Sequence, residues 1–112
     1  TGRMKGGIPQ AIRQIPGIRY CICSNGASVV DLEKDCFLYQ NPIPLPLARQ
    51  VLQNILRYHA SVDVYIDGVA YNTHEVLQNM AQFEKDPFRL AYVLRSRQAV
   101  ASLEELLKQT TR

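Results

Sequence analysis

Three prolines at alternate positions, Pro42, Pro44 and Pro46, constrain this chain more than any other feature. Each fixes its own φ and pushes the residue before it out of the helical region. Asn41-Pro42-Ile43-Pro44-Leu45-Pro46 is therefore barred from helix up to Pro44 and is expected to run as an extended connector. A boundary is expected near residue 44, with one unit over 1–44 and a second over 45–112. With 112 residues, 46% of them hydrophobic and 21% charged, the chain is long enough to bury a modest core. No apolar run approaches the roughly 20 residues a membrane helix needs, and no secretory leader pattern is present. A cytoplasmic protein without a membrane partner is expected.

Before the connector, Ile8, Ala11, Ile12 and Ile15 recur on roughly one side of a short helix, which Gly6, Gly7 and Pro9 confine to the stretch after the glycines. Pro16-Gly17 stops it. Ile18 to Cys23 is mostly apolar, as expected of a strand buried on both faces of a parallel sheet, and helix, turn and strand together suggest a βαβ-like unit. Ser28–Asp31 and Cys36–Gln40 are two extended runs separated by the polar loop Leu32-Glu33-Lys34-Asp35, which predicts a hairpin.

After the connector, Leu47, Ala48, Val51, Leu52, Ile55 and Leu56 repeat at helical spacing through to Tyr58, with Pro46 as an early helix residue. Val62 to Ile66 alternates with period two, and Asp67-Gly68 turns it into Val69-Ala70-Tyr71. Val76, Leu77, Met80 and Phe83 predict a helix over 75–83, which Asp86-Pro87 breaks. Leu90 to Leu94 is apolar and fits helix or strand. Ser102-Leu103-Glu104-Glu105 is a capping box that opens a last helix from about Leu103 to Gln109.

The net charge of +3 comes from scattered Lys and Arg among acids, without a basic stripe interleaved with aromatics, so no nucleic-acid partner is expected. Arg95 and Arg97 are expected to be solvated. Cys21, Cys23 and Cys36 are an odd number of thiols, which argues for reduced cysteines. Cys21 and Cys23 share a face on a strand, but a metal site would need further ligands from Cys36, His59 or His74 at no recognised spacing, so burial as small hydrophobes is the expectation. His59 at a helix end and His74 after a strand suit solvated or capping roles, and Tyr65 and Tyr71 suit packing.

Two short motifs carry the chemistry. Thr1-Gly2-Arg3 and Ser24-Asn25-Gly26-Ala27, the latter following the strand Tyr20-Cys21-Ile22-Cys23, combine a hydroxyl with small residues at a strand end. Where the chain turns tightly, such residues can hold an oxyanion through O–H and backbone N–H donors. The order of these motifs, the short helix, the first hairpin, the connector and the Val-Asp-Val-Tyr-Ile-Asp-Gly hairpin resembles the middle of a Cof-type hydrolase of the haloacid dehalogenase superfamily.

That resemblance implies an α/β fold in which 1–44 is part of a Rossmann-like core and 45–112 the first part of an α/β cap. It implies a Mg²⁺-dependent phosphatase acting through an aspartyl-phosphate on a small phosphorylated metabolite such as a sugar phosphate. Thr1 and Gly2 would bind the phosphoryl group, and Asn25 and Gly26 would lie at the rim where α/β sheets bind ligands. The nucleophilic and acid aspartates, the lysine and the Mg²⁺ ligands of the family fall outside this chain, and neither Asp63 nor Asp67 replaces them. The chain is thus expected to be an excerpt that is inactive alone. The alternative is a non-catalytic α/β binding module whose positive charge attracts an acidic partner or nucleic acid, the absence of a basic stripe with interleaved aromatics counting against the latter.

Overall fold

Residues 1–110 are described by a computed structural model; Thr111 and Arg112, the end of the 45–112 span, lie outside the described residues. The described residues are mixed α/β with two three-stranded sheets. It clusters into two units, one of Thr1–Pro42 with Asp67–Val69, the other of Ile43–Ile66 with the residues from Ala70 onward.

In the first unit, Pro9 precedes a single turn of helix, α1 (Gln10–Arg13), and Gly17, at φ +87°, supplies the left-handed backbone that turns the chain toward the sheet. Strands β1 (Tyr20–Cys23), β2 (Ser28–Asp31) and β3 (Cys36–Gln40) form a meander in that order, each pair antiparallel. A bulge between Val29 and Val30 shifts the β2–β3 register. The expected hairpin has its expected ends because Asp31 organises the loop: its Oδ1 accepts from the Glu33 and Lys34 N–H groups at 3.0 and 3.1 Å. Ile8, Cys23 and Val30 form the core, with Cys21, Leu32 and Phe37 packed against them.

Two expectations fail here. Among the described residues, strand β1 is not buried on both faces in a parallel sheet; it lies at the edge of an antiparallel one, and Tyr20 and Ile22 are 59% and 60% exposed. The βαβ-like reading falls with it, since the ladder partner of β1 is the next strand in sequence. The apolar side of α1 is also largely uncovered, with Ile12 and Ile15 exposed. A continuous apolar run reads the same whether both faces are covered or only one, so periodicity alone does not separate these cases.

The second unit opens with α2 (Leu45–Ile55), which turns Leu52 inward and carries Pro46 in its first turn. It ends before Tyr58 because the chain tightens there into i→i+3 hydrogen bonds, Arg57 N to Asn54 O and Tyr58 N to Ile55 O. Strands β4 (Val64–Ile66) and β5 (Val69–Thr73) are joined at Asp67 and Gly68, both with positive φ (50° and 83°), as the Asp-Gly pair predicts. Helix α3 (His74–Gln78) starts at Thr73, whose Oγ1 accepts from Val76 N–H at 3.2 Å.

The helix expected over 75–83 stops at Gln78. Asn79 leaves helical φ/ψ, its Nδ2 donates to Glu75 O at 2.9 Å, and the chain resumes only as the 3₁₀ turn Met80–Gln82. Asp86 starts a helix rather than merely ending one: its Oδ1 accepts from Phe88 and Arg89 N–H, and α4 runs over Pro87–Ser96. That settles Leu90 to Leu94 as helix. Strand β6 (Arg97–Val100), which no sequence pattern announced, pairs in parallel with β5 from Ala70↔Arg97 to Thr73↔Val100. Helix α5 (Leu103–Gln109) begins at its Ser102 cap, which accepts from Glu105 N–H at 3.2 Å. Leu52, Leu103 and Leu107 are the core, with Val62, Val64, Ile66, Tyr71 and Val100 around them.

Candidate functional site

The structure brings the four residues singled out from the motifs to one place at the end of β1. Thr1 N donates to Ile22 O, Asn25 N to Thr1 O and Ser24 N to Arg3 O, each at 2.9 Å, so the first three residues lie against the strand end. Gly2 faces the Asn25 side chain closely; a β-carbon there would stand 3.1 Å from Asn25 Oδ1, which favours glycine at this position. The Thr1 hydroxyl accepts from Arg3 N–H at 3.1 Å, and its own O–H remains a donor.

The turn after β1 is strained. Ser24, Asn25 and Gly26 have φ of 49°, 55° and 97° in succession, and the first two carry side chains that disfavour this region. Asn tolerates it best and Gly without cost, which explains the order Asn-Gly here. Such backbone costs on the order of 1–3 kcal/mol per residue and concentrates at ligand sites. The result is an exposed rim where the Thr1 hydroxyl and the Asn25 carboxamide are donors suited to an oxyanion, while the Arg3, Ser24 and Asn25 N–H groups already bond to Thr1 and Arg3 oxygens.

Beneath the rim, Cys23 is fully buried and burial, reinforced by its hydrogen bond to Cys21, pushes its thiol up to about 11. At the far end of β1–β2, Arg19 and Asp31 pair at 3.1 Å. The hydrogen bond from Arg19, then those from the backbone, hold the Asp31 carboxyl below its ordinary range.

Apart from Asp67, the remaining candidates lie in the second unit. Arg97 is not solvated: its side chain is 8% exposed, and Nε and Nη2 donate to Asp63 Oδ2 at 3.2 and 2.9 Å. Burial alone would lower the Arg97 pKa, but the Asp63 hydrogen bonds and charge outweigh it and the net shift is upward. Asn72 Nδ2 donates to Asp63 Oδ1 and Ser61 Oγ, and Tyr65 and Tyr92 flank the guanidinium at 5.9 and 5.6 Å. This cluster has no signature in the sequence because its members run from Ser61 to Arg97 and share no local motif. Asp63 is thereby committed to Arg97, and Asp67 to the β4–β5 turn.

His59 lies past the end of α2 and stacks on Phe83 at 5.1 Å, His74 is an exposed first residue of α3, and Tyr71 packs on the leucine core. Among the described residues no three His, Cys, Asp or Glu side chains converge where a cation could sit, so the residues present do not by themselves fit the Mg²⁺ that this kind of chemistry uses. No described helix is long and apolar enough to cross a membrane.

The profile of the haloacid dehalogenase-like hydrolases matches residues 1–110, and the chain belongs to that family. Comparison with curated proteins and with solved structures returns no significant match to either.

Proposed function

We propose that this chain is the phosphate-binding and substrate-selecting portion of a Cof-type, Mg²⁺-dependent phosphatase that hydrolyses small phosphorylated metabolites such as sugar phosphates. The observation that carries this reading is the clasp of Thr1 and Gly2 against the left-handed turn at Asn25 and Gly26. In it the Thr1 O–H and the adjacent backbone N–H hold the equatorial oxygens of the transferring phosphoryl group. Fixed donors are what that transition state needs, since its charge is spread over those oxygens. Asn25 and Gly26 contact the substrate at the rim. Residues 1–44 act as part of the core and 45–112 as part of the cap.

The aspartate that attacks phosphorus, its partner acid and the Mg²⁺ ligands belong to sequence outside this chain. Mg²⁺, when bound there, offsets the charge of the phosphoryl oxygens. The 112 residues alone are then inactive, and the compartment is the cytoplasm.

The test uses a longer polypeptide carrying the sequence on both sides. It is expected to release phosphate from at least one of a broad panel of phosphate monoesters in a Mg²⁺-dependent manner. Thr1→Ala in that polypeptide lowers kcat by about 10²–10³-fold, the usual cost of one lost donor to a developing charge. No Mg²⁺-dependent release from any ester, or a Thr1→Ala variant as active as its parent, would sink the reading.

A further inference from the structure

Cys21 and Cys23 occupy alternate positions of β1 on its core-facing side, and their sulfurs are 3.7 Å apart. Two bonds of about 2.3 Å to one centre at a tetrahedral angle span ~3.8 Å between sulfurs, the spacing already present. A disulfide would instead need the sulfurs near 2.05 Å, across residues whose Cα atoms stand roughly 6.6–6.8 Å apart in a strand, at the long limit for that bond. The strand therefore accepts a bridging atom more readily than a direct sulfur–sulfur bond.

We propose that Cys21 and Cys23 form a dithiol clip that captures one thiophilic centre across both sulfurs. The site is a capture site and not a resident structural metal centre, because among the described residues no third His, Cys, Asp or Glu completes it. Cys36 takes no part: it lies on β3, with β2 between it and β1, and is an exposed single thiol.

Access begins at the half-buried Cys21; the second bond, at the buried Cys23, requires local opening of β1, which is paired with β2 and held at this end by Thr1 and Arg3. With a monosubstituted trivalent arsenical oxide the step is balanced and involves no redox change. Two S–H bonds and the arsenic–oxygen double bond break, two arsenic–sulfur bonds form, and the two thiol protons leave with the oxygen as water. The clip sits one residue before the Ser24–Gly26 turn, but its chemistry does not depend on the phosphatase reading.

Phenylarsine oxide tests it on the reduced 112-residue chain by intact mass and melting temperature. The wild type and Cys36→Ser are expected to retain one arsenical through excess monothiol, to release it to a dithiol, and to melt higher when loaded, because binding then favours the folded strand. Cys21→Ser, which alters the more accessible sulfur, is expected to retain none, as is Cys23→Ser. Loss of the adduct to monothiol, retention by Cys21→Ser, dependence on Cys36, or a lowered melting temperature, which would place the bridge in the unfolded chain, each overturns the proposal.

Discussion

The two sheets of this molecule have the same number of strands and are assembled in opposite ways. In the first unit β1, β2 and β3 follow one another in sequence, each pairing with its neighbour. In the second, β6 arrives from a distance: Ala70 pairs with Arg97 and Thr73 with Val100, in parallel, after α3 and α4 have intervened. A meander costs little loop entropy, and short turns fix its register. A distant parallel strand needs something more to hold it, and the second unit supplies this with the Arg97–Asp63 pair and the leucine seam of α2 and α5. The first unit has no comparable seam and leaves Tyr20 and Ile22 of β1 exposed.

Leu107→Ala should have the largest effect on stability. Leu107 is buried against Leu52 and Leu103, and its truncation is expected to cost about 2–5 kcal/mol, read as a lower urea midpoint. Hydrogen exchange should quicken in α2 and α5; if it quickens equally in β1–β3, the contrast between the units is lost.

Asp63→Ala follows, at about 3 kcal/mol, since it leaves the buried Arg97 guanidinium without its carboxylate and Asn72 Nδ2 with Ser61 Oγ in place of two acceptors. Faster exchange confined to the β5–β6 ladder would sharpen the comparison. An unchanged ladder would show that the ion pair does not hold the distant strand.

A smaller loss, of about 1 kcal/mol, is expected for Ser102→Ala, which removes the cap of α5 and nothing else in that seam. Circular dichroism during urea unfolding checks it, and Ser102→Asp should restore the midpoint.

The gentlest test is acid titration of the first unit. The Asp31 carboxyl has its pKa lowered on folding by Arg19 and by backbone N–H groups. Its contribution is therefore fully present above its unfolded value, about 3.9, and is lost as pH falls through the lower folded value. The stability of Asp31→Asn should fall less steeply with acid over that window than that of the parent; parallel curves would show that Asp31 contributes nothing pH-dependent.

Legibility followed the range of each interaction. The Asp67-Gly68 turn, the Leu32–Asp35 loop and the Ser102 cap are local devices, and each was read with its ends nearly as observed. The ends of α2 and α3 were misread where the chain tightens at Arg57 and Tyr58 and where Asn79 bonds back to Glu75, both subtle next to the apolar repeat. Strand β6 was missed because four residues beginning with Arg carry no period of their own. The pairing of Arg97 has no local signature for the same reason, its partner being 34 residues away.

For the candidate site, the sequence alone determined which residue types were available: the hydroxyl of Thr1, the glycines at 2 and 26, the carboxamide of Asn25 and two thiols two residues apart. The tertiary structure decided that Thr1 and Gly2 lie against Asn25, that Ser24–Gly26 take left-handed backbone, and that the Cys21 and Cys23 sulfurs stand within bridging distance. It also decided which apolar faces are covered. Composition and spacing report what each residue can do, whereas convergence of distant residues depends on a chain path whose free energy is summed over the whole fold.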